Sequence, residues 1–365
     1  MRPVRLLTYL LCLSVLWIPL TASAAEDGEF DPVHHTADAY YLDFLPIGKV
    51  ELPRILILRS ESTGYYVRVY RTTKSALRSG ELEAKIETEE GTKTMSGQDS
   101  LQVLIAEGKH LDAKLSPVEG NTIVLDLSVT KHLVFALLAS GILLAIFVQL
   151  ANRYKRGIGR TSAPQGLVHN LFETLVIFVR DDIAIPNLGK EHHQRFLPYL
   201  LTAFFFILTC NLLGLVPFGA TATSNLNITA VLAAFTFILT QVNGSKDHWR
   251  HVFWPPGMPV PVKLLLIPTE IMGLFTKPVA LAIRLFANLT AGHLVILSLI
   301  GMIFTFTNLF GEAVGYGVVP VSLGFTLFVM CLEILIAFIQ AYIFTILSAL
   351  FIGMAIAEHS HSEAH

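Results

Sequence analysis

The sequence predicts an all-α polytopic membrane protein. It has five membrane elements, of which the last two form a long tilted helical hairpin, and a small exported domain precedes them. Only 15% of the 365 residues are charged and 53% are hydrophobic, whereas soluble domains carry about 25% charged residues. The charges concentrate before residue 131, and long apolar runs follow up to residue 357. The net charge of −2 gives no indication of nucleic-acid binding.

The N-terminal residues have the pattern of a signal peptide. Arg2 and Arg5 precede an apolar stretch that ends in Ala22-Ser23-Ala24, which is the order of basic start, apolar core and small-residue cleavage site in exported proteins. We therefore predict a signal peptide over residues 1–24 of a protein of the bacterial plasma (inner) membrane. An uncleaved anchor helix is the alternative, and both place the next residues outside the cytoplasm.

Residues 25–130 form the predicted exported accessory region. The segments 65–71 (YYVRVYR) and 122–127 (TIVLDL) have the composition of β-strands, whereas 79–100 has that of a loop. The region contains no catalytic motif. His34-His35 could bind a metal, but an exposed histidine pair is usually solvated, and the three cysteines predict no disulfide framework. We therefore predict no metal site and no cofactor.

Five apolar segments in the predicted membrane domain, residues 131–358, are long enough to span a bilayer. Cations in the segments between them mark the cytoplasmic side, which predicts an outside N-terminus and a cytoplasmic tail over residues 359–365. A sixth segment, 166–186, mixes charges with apolar residues and is predicted to be an interfacial helix on the cytoplasmic face. The spans are 132–151, 196–218, 226–243, about 260–305 and 319–357, and the cations are Arg153, Lys155, Arg156, Arg160, Lys246 and Arg250.

The last two elements are too long for a simple crossing. Each has about 40 residues, or about 60 Å of helix, and the hydrocarbon core is only about 30 Å thick. They must therefore tilt, bend or extend past the membrane. Pro268 and Pro278 offer kink sites in the first of them, and residues 306–318 are predicted to connect the two.

Ionisable residues in these elements recur at helical spacing. Glu270, Lys277 and Arg284 are seven residues apart and Asn288 is four further on, so all four fall within roughly 40° on a continuous helix. On the last element, Glu333 and Gln340 are also seven apart and share a face. Charged residues at such positions are costly and usually face water or a partner.

Antiparallel packing of the two elements predicts two polar layers. If Gln340 lies level with Arg284, a central layer contains Arg284, Asn288 and Gln340, and an outer layer contains His293 and Glu333. Histidine and glutamate can exchange protons, whereas arginine keeps its charge. The alternatives stay open: Arg284 in a structural ion pair, His293 as a packing residue, and Asn288 and Gln340 as hydrogen-bonding residues between helices.

Motifs in this part of the chain resemble those of subunit a of the F-type ATP synthase. KPVALAIRLFANLTAGHL (277–294) is similar to the family's signature around its essential arginine, which falls on Arg284. NLLGLVPF (211–218), TSNLNIT (223–229) and the final helix (333–355), with its glutamine at Gln340, resemble the family as well. Lys277 and Glu270 also fall on family positions. The resemblance covers roughly residues 127–358.

Three positions depart from the family's pattern. Some members have an acid where this chain has His293 and a histidine where it has Glu333, so the exchange keeps one acid and one imidazole in the pair. Asn225 stands where many members have an aspartate, so that position carries no charge.

The resemblance implies a non-catalytic stator subunit that forms two proton half-channels against a rotating ring of c subunits. Protons would pass His293 and Glu333 to a ring carboxylate, and Arg284 would prevent a short circuit. The implied partners are the c ring, the b-subunit peripheral stalk, the other synthase subunits and the lipid bilayer. The alternative is a proton- or sodium-coupled secondary transporter, for which the sequence lacks the expected internal repeat. An intramembrane protease would need motifs that the spans do not contain.

Overall fold

The computed structural model describes most of the chain from residue 38 onward. The predicted signal peptide (1–24), the predicted tail (359–365) and the pair His34-His35 lie outside the described residues. Those residues are 38–44, 48–60, 64–88, 91–95, 114–118, 121–157, 166–216, 221–254 and 259–357.

The N-terminal part of the described chain is built from antiparallel strands. Strands β1 and β2 form a hairpin, β4-β3-β8 form one sheet and β6-β5-β7 form another. A small apolar core contains Leu56, Leu58, Ala76 and Leu82, and the short helix α1 (Thr73–Arg78) supplies Ala76. The strands are β1 (Tyr41–Phe44), β2 (Gly48–Glu51), β3 (Arg54–Ser60), β4 (Gly64–Tyr70), β5 (Leu82–Thr88), β6 (Gly91–Met95), β7 (Lys114–Pro117) and β8 (Asn121–Asp126).

Two of the strands match the sequence prediction and two contradict it. Strands β4 and β8 confirm the predictions for 65–71 and 122–127. The predicted loop at 79–100 is wrong over β5 and β6, which pair with each other. In β5, Leu82 and Ala84 are buried and alternate with less buried Glu83 and Lys85. This is the two-residue period of a half-buried strand, and the many charges around it obscured it.

The remainder of the described chain is helical. Four of its helical elements are long and apolar enough to cross a membrane, or five if the bent pair α5–α6 counts as one span. The prediction of an all-α polytopic architecture is confirmed at this level. The helices are α2 (Lys131–Lys155), α3 (Leu167–Phe178), α4 (Ile185–Gly214), α5 (Leu226–Val242), α6 (Lys246–Phe253), α7 (Val260–Phe310) and α8 (Glu312–Ile356).

The predicted interfacial helix, 166–186, differs from the structure at its C-terminal end. Helix α3 begins at Leu167, and a π-helical turn, Val179–Ala184, joins it to α4 without a loop. The break comes at Gly189, whose φ of 74° is not helical. Such a backbone conformation favours glycine because it has no Cβ. The helix that follows Gly189 therefore starts before the span predicted at residue 196.

The predicted connection at 306–318 is wrong. Helix α7 continues to Phe310 and α8 begins at Glu312, so only Gly311, with a φ of 89°, separates them. Helix α7 has 51 residues and is about 76 Å long, which exceeds the predicted length, and it runs through Pro268 and Pro278. The residues on either side of Gly311 continue the two helices instead.

Helix α8 lies at the centre of the helical part. It packs against α7 and α4, while α5 packs against α7 and α2 against α4. Fully buried aromatic residues, among them Phe204, Phe205 and Phe344, fill the space between them. This packing fixes which faces of α7 and α8 point inward, and therefore positions the polar residues that the sequence singled out.

Candidate functional site

Helix α7 presents Arg284 and Asn288 on an exposed stripe. Residues Ala280, Arg284, Ala287, Asn288 and Ala291 are exposed, and their spacing of three and four residues places them along one side of the helix. The opposite side is buried through Leu281, Ala282, Leu285 and Leu289. The stripe therefore combines small side chains, one amide and one permanent positive charge.

Arg284 has no counter-ion in the described part of the chain. No hydrogen bond or ion pair joins its guanidinium to another described residue. The structural ion-pair alternative therefore receives no support here. A guanidinium in a long apolar helix is costly unless it meets water or an acid, so this exposed stripe requires a polar neighbour.

Glu333 and Gln340 share a face of α8, as their spacing predicts, and that face is buried. Gln340 is 3% exposed and Glu333 is 5% exposed. Gln340 lies inside the helical packing, whereas Arg284 and Asn288 lie on the outside of α7, and the common depth of the three residues stays a prediction. Among the described residues, no hydrogen bond joins Gln340 to either of them. The small residue Ala337 between the two polar positions lets α8 pack closely against its neighbours.

His293 and Glu333 lie at matching depth, as the antiparallel register predicts. A Cβ added to Gly292 would overlap Oε1 of Glu333 and lie 3.0 Å from its Cδ, so the carboxylate rests against the residue next to His293. The two side chains do not hydrogen-bond to each other. Nε2 of His293 contacts Oγ1 of Thr221 instead, and Oε2 of Glu333 is buried without a hydrogen-bond partner among the described residues.

A network of uncharged polar groups lies beside His293 and Glu333. Thr221 packs over Gly214, where an added Cβ would overlap its side chain. Oγ1 of Thr223 donates to Oδ1 of Asn211 over 2.6 Å, and Nδ2 of Asn211 donates to the carbonyl oxygen of Ala337 over 3.3 Å. These bonds hold the turn before α5 against α4 and α8, and they fix the position of Thr221.

Glu270 and Lys277 lie on the other side of Arg284 along α7 and line a cavity of about 390 Å³. The cavity lies where α5, α6, α7 and the end of α8 meet. Asp247, His248 and His251 of α6 also line it, so five ionisable side chains face one space. Lys277 is about 10 Å before Arg284 along the axis of α7, and His293 is about 13 Å beyond it.

Arg284 carries a fixed charge that lies between two groups of protonatable residues along α7. One group is His293 with Glu333, and the other is the set of ionisable residues that line the cavity. Histidine and carboxylate side chains can bind and release protons, and arginine cannot. A proton could be exchanged within each group, but not relayed through Arg284 itself. No group of three or more histidine, cysteine or acidic side chains in the described residues is arranged to hold a metal ion.

Sequence reasoning missed several residues that the structure brings into these groups. Thr221 lies in a segment that reads only as an uncharged loop, and the three polar residues of α6 read only as cytoplasmic charge. His132, in the first turn of α2, lies in a segment that reads only as an apolar span. A histidine at the end of a predicted span is a signal that could have identified it.

Comparisons with known proteins cover the part of the chain that contains both groups. A family described as "ATP synthase A chain" matches residues 133–353. "ATP synthase subunit a" of Chloroherpeton thalassium is 51% identical over 244 residues, which is 66% of this chain and 70% of that protein. The protein of the same name from Pelodictyon phaeoclathratiforme is 48% identical over 255 residues, 68% of this chain and 71% of that protein. "ATP synthase subunit a 2" of Prosthecochloris aestuarii is 49% identical over 241 residues, 65% and 71% of the two chains.

Proposed function

The chain belongs to the ATP synthase A chain family, and on that premise we propose how its polar residues carry protons. It is a proton-translocating stator subunit of the F-type ATP synthase and a multi-pass membrane protein. The secondary-transporter alternative is not favoured, because the relatives are named as synthase subunits. We further propose that the chain supplies the proton path and leaves the chemistry of ATP to other subunits.

We propose that the exposed stripe of α7 faces the ring of c subunits. The observation that supports this most strongly is that Arg284 is exposed and has no counter-ion among the described residues. A ring carboxylate would supply the missing charge. The alanines beside Arg284 allow close approach of a partner helix, as small residues do at helix–helix contacts in membranes. The b-subunit stalk and the remaining synthase subunits would contact other surfaces.

The two groups of protonatable residues are proposed to be two half-channels. His293 and Glu333 form the outer one, which delivers protons to the ring carboxylate. Glu270 and Lys277 line the inner one, through which protons leave after the ring has rotated. Gln340 and Asn288 stand between the two groups as uncharged hydrogen-bonding residues.

Arg284 is proposed to keep the two half-channels apart. A ring carboxylate that reaches Arg284 is held in its charged form, since a neighbouring positive charge favours ionisation. A proton cannot cross this point without the ring. The driving energy is about 2.3 kcal/mol per charge for each 100 mV, and any leak past Arg284 would release it without rotation.

We also propose an orientation and domain boundaries for the chain. The cations Arg153 and Lys155 at the end of α2 support a cytoplasmic position for that end, which leaves the N-terminal strands outside and the C-terminus inside a bacterial plasma membrane. The exported accessory region would then cover residues 25–130, and the proton-channel domain would cover residues 131–358. Residues 1–24 would be the signal peptide and residues 359–365 the cytoplasmic tail.

Cross-linking tests the contact with the ring. In a chain whose Cys12, Cys210 and Cys331 are replaced by serine, Ala287→Cys is expected to couple to a c subunit through a maleimide photo-cross-linker in the assembled complex. Ala282→Cys is the matched control, because Ala282 is 4% exposed on the buried side of α7. Mass spectrometry of the adducts identifies the partner. If the photo-cross-linker on Ala287→Cys reacts only with lipid and gives no c-subunit adduct, the proposal is contradicted.

A glycine substitution tests the position of Glu333. Gly292→Ala is expected to push the Glu333 carboxylate away from its place beside His293 and to slow proton-driven ATP synthesis several-fold, since overpacking costs about 1–3 kcal/mol. Gly273→Ala is the control on the same helix, because a Cβ there meets nothing within 4 Å. Synthesis rates in reconstituted vesicles measure both. Equal rates for both variants and the unchanged chain would show that this carboxylate's position does not matter.

A further inference from the structure

Asp38, a residue of the exported region, lies against the membrane domain at the outer end of α2. Its Oδ1 is 2.7 Å from Nδ1 of His132, an ion-pair distance, although the ring N–H is not aligned for a hydrogen bond. Its Oδ2 accepts a hydrogen bond from Nδ2 of Asn225 over 2.7 Å. Neither contact joins neighbours in sequence, so the fold brings an exported acid and two membrane-domain residues together.

The backbone holds Asp38 firmly in this place. The backbone N–H of His132 donates to Oδ1 over 3.3 Å, and that of Lys131 donates to the carbonyl oxygen of Ala39 over 2.8 Å. Thr130 caps the start of α2 through the N–H of Leu133. The segment around Asp38 is thus anchored to the first turn of a membrane helix.

The His132 ring connects this acid to the outer half-channel. Its Nε2 lies 3.3 Å from Oγ of Ser224, and Ser224 also donates to the carbonyl oxygen of Thr221 over 2.7 Å. Both residues belong to one short turn before α5, and Thr221 contacts Nε2 of His293. Polar groups therefore continue from Asp38 to His293, and each side of the His132 ring faces a different member of the series.

The exposed fractions of the two side chains show which end of this series of polar groups meets water. The side chain of Asp38 is 28% exposed, whereas that of His132 is only 3% exposed. Asp38 therefore meets outside water and His132 does not. Burial raises the pKa of Asp38, but its contacts with Thr130 and with His132, which is positively charged when protonated, outweigh burial and hold that pKa below its ordinary value. Asp38 therefore stays a carboxylate that attracts protons. Charged groups close to the pair in sequence or contact include Lys131, which precedes His132, and Asp126, which accepts a hydrogen bond from the hydroxyl of Tyr40 over 3.3 Å. Arg54 lies 3.9 Å from that acid.

We propose that Asp38 and His132 are the outermost proton-exchanging pair of this subunit and deliver protons from outside water to His293 along the Thr221–Ser224 turn. The proposal rests on the proton-translocating role of His293 and Glu333. One proton binds Nδ1 of His132 beside Asp38, and the imidazolium releases its Nε2 proton to Oγ of Ser224. The Ser224 hydroxyl turns from the Thr221 carbonyl oxygen toward Oγ1 of the same residue and passes its own proton on, so that Thr221 gives one proton to Nε2 of His293. His132 is left neutral with its proton on Nδ1, and turning of the ring presents an unprotonated nitrogen to Asp38 again. One proton enters for each that leaves, and no other reactant is needed. The exported region thereby contributes a residue to the proton path.

The alternative is that the Asp38–His132 contact only fastens the exported region to the membrane domain. Asp38→Asn and His132→Gln separate the two roles, because both keep hydrogen-bonding groups and lose the ability to exchange protons. Asp38→Glu keeps the carboxylate. Glu81→Gln is the control within the exported region, since Glu81 pairs with Arg68 and Tyr70 and not with the membrane helices.

The experiment measures proton-driven ATP synthesis by the whole complex in vesicles, as a function of pH on the outer side. Asp38→Asn and His132→Gln are expected to slow synthesis at least about tenfold and to change its dependence on outside pH. Asp38→Glu is expected to restore the pH profile, and Glu81→Gln is expected to leave it unchanged. The amount of assembled complex is measured alongside.

Two results would overturn the proposal. One is unchanged synthesis in both Asp38→Asn and His132→Gln. The other is a loss of synthesis that only follows the loss of assembled complex, with no change in the pH profile, which would assign a fastening role. Glu333→Leu is measured in parallel. If Glu333→Leu loses synthesis while the Asp38 and His132 variants do not, this inference fails alone. If Glu333→Leu also keeps normal synthesis, the proposed outer half-channel fails with it.

Discussion

Arg284→Ala is expected to abolish proton-driven ATP synthesis and to leave the complex assembled. Without the guanidinium, a ring carboxylate beside α7 has no positive partner, and protons can pass between the two half-channels without rotation. Membranes that contain the variant complex should therefore leak protons when the catalytic part is removed. Synthesis rates, passive proton flux in vesicles and the yield of purified complex measure the three effects. Assembly should survive because Arg284 is exposed and makes no contact that the described fold depends on.

Lys263→Ala is the matched control for this prediction. Lys263 lies on the same helix, and its Nζ is 4.5 Å from the ring centre of Trp254, so its charge has a partner within the chain. Synthesis should persist in this variant. Arg284→Lys should retain only part of the activity, because a lysine shifts its pKa readily when buried and lacks the planar fork that binds a carboxylate. Near-normal synthesis in Arg284→Ala would reject the role assigned to this residue.

Glu333→Leu is expected to slow proton uptake from the outer side by about 100-fold, the usual contribution of a positioned acid or base. Glu333→His should recover part of the flux, since an imidazole also exchanges protons. The initial rate of proton-driven synthesis after an acid step on the outer side is the measurement.

The stability of the Glu333→Leu complex separates a relay from a structural role. A buried carboxylate with an unpartnered oxygen costs free energy, so its replacement should not lower the melting temperature of the complex. Glu312→Leu, at the exposed start of the same helix, is the control and should transport normally. Normal flux in Glu333→Leu, or a loss explained by a lower melting temperature, would remove Glu333 from the proton path.

The apolar spans could be predicted because hydropathy reports them directly. Helices α2 and α5 match the predicted segments within a few residues. The connection between α7 and α8 was predicted in the right place but too long, because hydropathy does not show that the exposed residues on both sides of Gly311 are helical. Strand β5 was missed for a related reason, since its buried Leu82 and Ala84 are separated by charged neighbours.

The helical spacing of polar residues predicted part of the candidate site. Spacing of seven residues placed Glu333 and Gln340 on one face, and antiparallel packing of the two helices placed Glu333 at the depth of His293. It could not show that this face of α8 is buried while Arg284 faces outward, since that depends on where α4 packs. The group formed by Asp38, His132 and Asn225 could not be predicted either, because 94 residues separate the first two and 187 separate the first and last.

The central claim, that Arg284 faces an acid of another polypeptide, is tested most directly by a high-resolution map of the assembled complex in a lipid nanodisc. The measured quantity is the distance from the guanidinium of Arg284 to the nearest carboxylate. A ring carboxylate within about 4–6 Å, the range over which opposite charges affect ionisation, is the predicted result. A guanidinium paired with an acid of its own chain, or one that faces lipid with no c subunit beside it, would contradict the account.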